Sequence, residues 1–300
     1  MEQPNLQKQT ANIQKSPSAI SVIFRELMRD KLAMTSLIIL FLLTVPVIIY
    51  SLILDQSEVV RVDLFNLFNE PSAEYWLGTD HGGRDVFGQL MIGARNSIFI
   101  GVAITVVSTI IGVGIGLISG FYGGNVDNFI MRIVDMFFIL PTTLIIIAVV
   151  AIRPGYTMVE FCLIFIVFSW MGTCRLVRSK ALQEASLEYV HAAKTLGTPN
   201  IKIIFSHVLP NVISIIIVNF TLSLAANIGI ESGLSFLGFG FPETTPSLGT
   251  LVSYSTNPQI FELRPWIWLP AAVLIFVLML CINNVGQALK RAADAKQRRG

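Results

Sequence analysis

The sequence predicts an all-α polytopic membrane protein with six transmembrane helices, and three observations predict it. Hydrophobic residues make up 53% of the 300 and charged residues only 13%, against about 25% charged in an ordinary soluble domain. The apolar residues are gathered into long runs almost free of charge, each approaching the roughly 20 residues a helix needs to cross about 30 Å of hydrocarbon. The polar segments between the runs alternate between rich and poor in Lys and Arg. Helices are expected because the open edge of a strand cannot be satisfied in lipid.

Residues 1–32 form an N-terminal segment whose first 18 residues, rich in Gln, Asn and Lys, are expected to be disordered. The segment has no apolar core followed by a cleavage site, so no removable signal peptide is expected. The first span is placed at 33–54, directly after Arg25, Arg29 and Lys31. A long polar segment leads to a second span at 97–118. The third and fourth, at 136–152 and 158–174, are separated only by a short turn containing Arg153, Pro154 and Gly155, which predicts a helical hairpin. The fifth span is placed at 212–230 and the sixth at 266–282; a basic tail, 290–300, closes the chain.

Orientation follows from the positive charges, since loops on the cytoplasmic side retain Lys and Arg. Sixteen of the basic residues fall on one side of these spans, among them Arg132, Arg175, Arg178, Lys180, Lys194, Lys202, Lys290 and Arg291, and five on the other: Arg61, Arg84, Arg95, Arg153 and Arg264. Both termini and the loop 175–211 are therefore expected inside, and the segments 55–96 and 233–265 outside. A formal net charge of +2 gives no reason to expect a nucleic-acid partner. Cys162, Cys174 and Cys281 lie in or beside apolar runs without metal-ligand spacing and read as small packing residues.

Gly112, Gly116 and Gly120 recur every four residues in the second span, with Gly114 as a further small position, so one helix face is nearly bare backbone for a neighbouring helix to approach. The cluster is not a phosphate loop: no G-x-x-x-x-G-K-[ST] occurs in the chain.

Between the fourth and fifth spans, Leu182, Ala185, Tyr189, Ala192 and Leu196 alternate at spacings of three and four, predicting one amphipathic helix over 180–196 with Glu184, Glu188, His191 and Lys194 on its other face. Gly197 supplies a helix stop. Thr198 and Pro199 supply an N-cap and first-turn proline for a second short helix from Asn200 to about His207, which Pro210 is expected to end. The product is a helix-elbow-helix joined at both ends to membrane helices.

The run Glu188-Tyr-Val-His-Ala-Ala-Lys-Thr-Leu-Gly197, with the segment ending Leu209-Pro210-Asn211, resembles the EAA loop of binding-protein-dependent ABC importer permeases; His191 stands where that family has a glutamate. Three more stretches resemble the C-type subunits of dipeptide, oligopeptide and nickel permeases: Leu77-Gly-Thr-Asp-His-Gly-Gly-Arg-Asp-Val86, Gly120-Phe-Tyr-Gly-Gly124, and Ser235-Phe-Leu-Gly-Phe-Gly240 with Pro246, Ser247 and Gly249. The resemblance implies a type I ABC importer architecture and a peptide-importing permease subunit, or alternatively one for nickel or a metal chelate. It also implies a second homologous permease as heterodimer partner, two ATPase subunits that carry ATP and Mg, an extracytoplasmic solute-binding protein, a bacterial inner membrane, and no cofactor or catalysis in this chain. ATPase coupling would then rest on Glu184, Glu188, Tyr189, His191, Ala192, Ala193, Leu196 and Gly197.

Asp80, His81, Arg84 and Asp85 read as a salt-bridged turn and not as a metal site, and Asp80, Arg84 and Asp85 as residues facing the pathway or the binding protein. Glu231 shares a face with Asn219, Ser223 and Asn227 at spacings of four and is expected to line a pathway. An ion-coupled secondary transporter is the rival class; the inverted repeat that would mark one is not found in the sequence.

Overall fold

A computed structural model describes residues 25–152 and 155–297. The expected disorder of residues 1–18, and the turn residues Arg153 and Pro154, lie outside the described residues. Among the described residues, ten helices of six residues or more carry the architecture: α1 Lys31–Ile53, α2 Val86–Tyr122, α3 Gly124–Ile139, α4 Thr142–Ile152, α5 Met158–Ala185, α6 Glu188–Thr195, α7 Asn200–Phe239, α8 Leu248–Ser253, α9 Pro258–Leu263 and α10 Pro265–Gln297. Among the described residues, α1, α2, α5, α7 and α10 are each long and apolar enough to cross a membrane, and the bent pair α3–α4 adds a sixth crossing if it counts as one span.

The expected third span, 136–152, is not one straight helix. It is the end of α3 and all of α4, which meet at 71°. Pro141 lacks an amide donor and drives its predecessor out of the helical region, and Leu140 is extended, at φ −75° and ψ 135°. The other expected spans lie inside longer helices. At 37 residues, α2 is about 55 Å long and projects well beyond the hydrocarbon.

The glycine face of α2 packs on α5. A Cβ at Gly112 would stand 2.6 Å from the Trp170 carbonyl, at Gly116 2.7 Å from that of Cys174, and at Gly120 2.5 Å from that of Arg178. Gly114 does not belong to this face, because nothing lies within 4 Å of a Cβ there. Beside the seam, Arg178 grips Asp127 with two hydrogen bonds, at 2.7 and 2.5 Å, and Ser119 donates to the same carboxylate at 2.5 Å. One bidentate ion pair thus ties the ends of α2 and α5 to the start of α3.

Helix α7 also departs from expectation, since Pro210 does not end it. The backbone widens to a π turn over Ile204–Val208, which takes up the missing amide of the proline. Helix α7 then continues to a second π turn at Ser235–Phe239. Pro199 occupies the N-cap position of α7 and no side-chain cap is made there, so the expected Thr198 cap is not formed.

Candidate coupling site

The predicted single helix over 180–196 is broken. Helix α5 runs on to Ala185, Ser186 and Leu187 leave the helical path, and α6 restarts at Glu188. The break changes the register, so the predicted apolar stripe does not face inward. Of its members only Ala185 is buried, whereas Leu182, Tyr189, Ala192 and Leu196 are exposed. Val190 faces in instead. It is fully buried in a cluster with Leu117 and Phe121 of α2, Val177 and Ala181 of α5, and Ile203, Ile204 and Val208 of α7. Burying one such side chain is worth about 1.5–3 kcal/mol, and here it fastens α6 to three membrane helices at once.

Polar contacts make the same connections. The Tyr189 hydroxyl donates to Glu184 at the end of α5 (2.6 Å) and accepts from Asn211 near the start of α7 (3.1 Å). Lys194 lies over the Phe121 ring of α2, 4.6 Å from its centroid. The Tyr189 phenol is pushed up to about 12, first by burial and then by its bond to Glu184, so it stays a neutral donor throughout the neutral range. The C-terminus of α6 closes as a Schellman motif: the amide of Thr198 reaches the Ala193 carbonyl and that of Gly197 the Lys194 carbonyl, both at 3.0 Å. Gly197 takes the left-handed conformation this motif needs, at φ +77°.

Fixed in this way, α6 presents an outer face with no partner among the described residues. Glu188, His191, Ala192 and Leu196 are exposed, Leu196 to 85%, and Ala193 is half-buried against the Val190 cluster. The sequence missed Asn211 and Phe121 as members of the site, because neither has a local spacing that links it to α6.

At the opposite end of the bundle, Asp80 is fully buried and accepts from the amides of Gly82 (2.7 Å) and Arg84 (3.0 Å), from Arg84 Nε (2.8 Å) and from Gln89 (2.9 Å). Arg84, buried as well, reaches Glu243 at 2.8 Å, and His81 meets the same carboxylate at 3.1 Å. Burial opposes the charge on Arg84, but Asp80 and Glu243 hold it protonated. Asp85 caps α2 through the amides of Phe87 and Gly88, and burial pushes its carboxyl up. The side chains offered to solvent are therefore those of Glu243 and His81, while Asp80 and Arg84 brace them from beneath. Glu243 was missed because it lies far from Arg84 in the sequence.

The polar face of α7 is bonded to neighbouring helices. Asn219 donates to Thr173 of α5 (2.9 Å), Asn227 to Thr105 of α2 (2.9 Å), and Glu231, fully buried, accepts from Ser97 (3.0 Å) and Ser235 (2.9 Å). Ser97 in turn accepts from the amide of Leu248, at the start of α8. Ser223 is half-buried. Of these four, Asn219 borders a cavity of about 570 Å³.

Comparison with known proteins bears on the whole chain. Residues 112–296, which include α5, α6, α7 and all but the last residue of α10, match the family described as binding-protein-dependent transport system inner membrane component. Similar relatives include the oligopeptide transport system permease protein OppC of Lactococcus lactis subsp. cremoris (strain SK11), 44% identical over 94% of this chain and 96% of the relative. The dipeptide transport system permease protein DppC of Bacillus subtilis (strain 168) is 38% identical over 92% and 85%, and OppC of the same organism 36% over 90% and 87%. With apolar helices enough for a multi-pass membrane protein and an elbow held between two of them, the chain belongs to the binding-protein-dependent transport system inner membrane components, the permease subunits of ABC importers.

Proposed function

We propose that this chain is one of two membrane-spanning subunits of an ATP-driven peptide importer in a bacterial inner membrane. A second, homologous permease completes the pathway, two separate ATPase subunits bind and hydrolyse ATP with Mg, and an extracytoplasmic binding protein delivers the peptide. Both termini and α6 face the cytoplasm, in keeping with the distribution of positive charge. The relatives are named for oligopeptide and dipeptide transport, which favours peptides over nickel or a metal chelate.

The observation that carries the reading is α6 itself: a short rigid helix, fastened to α2, α5 and α7 through Val190, Tyr189 and Lys194, with Leu196 and Ala192 exposed beside Glu188 and His191. An ATPase groove closing on that face would carry α5 and α7 with it. Alternating access then needs no chemistry in this chain, only a preference of about 5.5 kcal/mol for one helix packing in the ATP-bound state to shift the population from 1:99 to 99:1.

The test is uptake of a radiolabelled peptide by proteoliposomes containing this chain, its partner permease, the ATPases and the binding protein. Uptake should require Mg-ATP and the binding protein together. Uptake driven by a proton or sodium gradient without nucleotide would place the chain among secondary transporters.

A further inference from the structure

The cavity bordered by Asn219 lies between α5, α7 and α10 at the elbow end, and its lining carries ordered charge. Lys180 and Glu184 stand four residues apart on α5, Lys290 and Asp294 four residues apart on α10, and aliphatic residues of α7 such as Ile215 and Val218 supply an apolar wall. Both α5 and α10 run toward the elbow: α5 leads into α6, and the last turns of α10 pack beside the start of α1, where Arg291 pairs with Asp30 at 2.5 Å. The two acids therefore lie about 6 Å nearer the elbow end than the two lysines, measured along the helix axes. Among the described residues, Lys290 and Asp294 form no ion pair, and Lys180 has Gln183, at 3.3 Å, as its hydrogen-bond partner.

We propose that this cavity binds the charged ends of a short zwitterionic peptide, its ammonium group toward Glu184 and Asp294 and its carboxylate toward Lys180 and Lys290. An extended chain advances about 3.3–3.6 Å per residue, so the termini of a dipeptide match the separation of the two charge layers. A volume of about 570 Å³ falls in the range of small-ligand pockets. The mixed lining suits a cargo whose ends are constant and whose side chains vary. Glu184 gives the site a link to the transport cycle, because its carboxylate also accepts from Tyr189: a shift of α6 moves a wall of the cavity. The inference rests on the peptide-importer reading and adds to it a site on the cytoplasmic half of the path, with a defined orientation of the cargo.

The experiment uses the assembled permease pair and ATPases in nanodiscs, without binding protein, and titrates Ala-Ala, N-acetyl-Ala-Ala and Ala-Ala-amide by saturation-transfer NMR. Ala-Ala should bind, and each blocked peptide should bind about tenfold more weakly, the worth of one charge-assisted hydrogen bond. Asp294→Asn should reduce the preference over the acetylated peptide, and Lys290→Gln the preference over the amide. Equal binding of all three peptides to the wild-type complex, or unchanged preferences in both variants, would remove the site. Uptake of Ala-Ala by the same complex with its binding protein is measured in parallel. Intact uptake without terminus-selective binding overturns this site alone, whereas absence of ATP-driven peptide uptake overturns the importer reading beneath it.

Discussion

The hydroxyl of Tyr189 stands 2.6 Å from a carboxylate oxygen of Glu184, and this bond joins α6 to α5, the helix that precedes it. The Tyr189 hydroxyl oxygen in turn accepts from the Asn211 side-chain amide, so one phenol connects α5, α6 and α7. Tyr189→Phe keeps the ring and removes both bonds, at about 1 kcal/mol each. Hydrogen exchange of residues 187–196 should accelerate in the variant, and uptake per ATP hydrolysed should fall. The pH dependence has a definite sign: a phenol whose folded pKa lies near 12 contributes stability that is complete below the ordinary value near 10 and is lost as pH rises through the folded value. Local opening of the elbow should therefore increase between about pH 10 and 12 in the wild type, and Tyr189→Phe should remove that inflection.

Gly197 tests conformation apart from space. Nothing lies within 4 Å of a Cβ built there, yet its φ is +77°. Valine should cost about 1–2 kcal/mol through backbone strain alone, tilting the end of α6. Asparagine, which tolerates left-handed backbone, should restore most function. Membrane levels should match wild type in both, and uptake should be lost only in Gly197→Val. Equal uptake by the two variants would show that the Schellman turn does not set the docking angle.

The glycine seam offers an internal control. A methyl at Gly120 would stand 2.5 Å from the Arg178 carbonyl and 2.7 Å from the Ala181 Cβ, whereas one at Gly114 meets nothing. Gly120→Ala should destabilise by about 1–3 kcal/mol, the range for overpacking, and Gly114→Ala should be neutral or slightly stabilising. Thermal melting of the purified complex measures both.

Orientation is checked with single cysteines at Lys194 and Glu243, both exposed and at opposite ends of the bundle. On intact cells an impermeant thiol reagent should label only the Glu243→Cys protein.

What the sequence made legible was what depends on spacing and local conformation. The Gly112, Gly116 and Gly120 repeat announced a helix-packing face, though not that α5 would fill it, and the left-handed stop at Gly197 was readable because glycine has so few competitors there. Stripe counting failed over 180–196, since Leu182, Tyr189 and Leu196 keep helical spacing across a break that Ser186 and Leu187 do not announce. Pro141 and Pro210 illustrate the same limit from the other side. Each removes one donor, but the chain bends by 71° at Pro141 and passes through Pro210 by way of a π turn, and that choice is made by packing. The pairings of residues remote in sequence, Asn211 with Tyr189 and Glu243 with Arg84, had no local signature.

The pair of Arg84 and Asp80 separates bracing from display at the end of the bundle opposite the elbow. Both side chains are buried, so replacing Arg84 by methionine leaves the Asp80 carboxylate desolvated with only its amide and Gln89 donors. Breaking a buried pair by removing one partner costs about 3–5 kcal/mol. Glu243 pairs with the same guanidinium, but its side chain is 52% exposed, and a pair with one end in water is worth little. Arg84→Met should therefore lower the melting temperature of the complex strongly and disorder the segment between α1 and α2, whereas Glu243→Gln should leave the melt within about 1 kcal/mol of wild type. Affinity for the binding protein should discriminate in the opposite sense at matched stability, because Glu243 and His81, not Asp80, reach solvent. If Glu243→Gln leaves both melting and binding-protein affinity unchanged, the cluster of Asp80, Arg84 and Glu243 is a brace only.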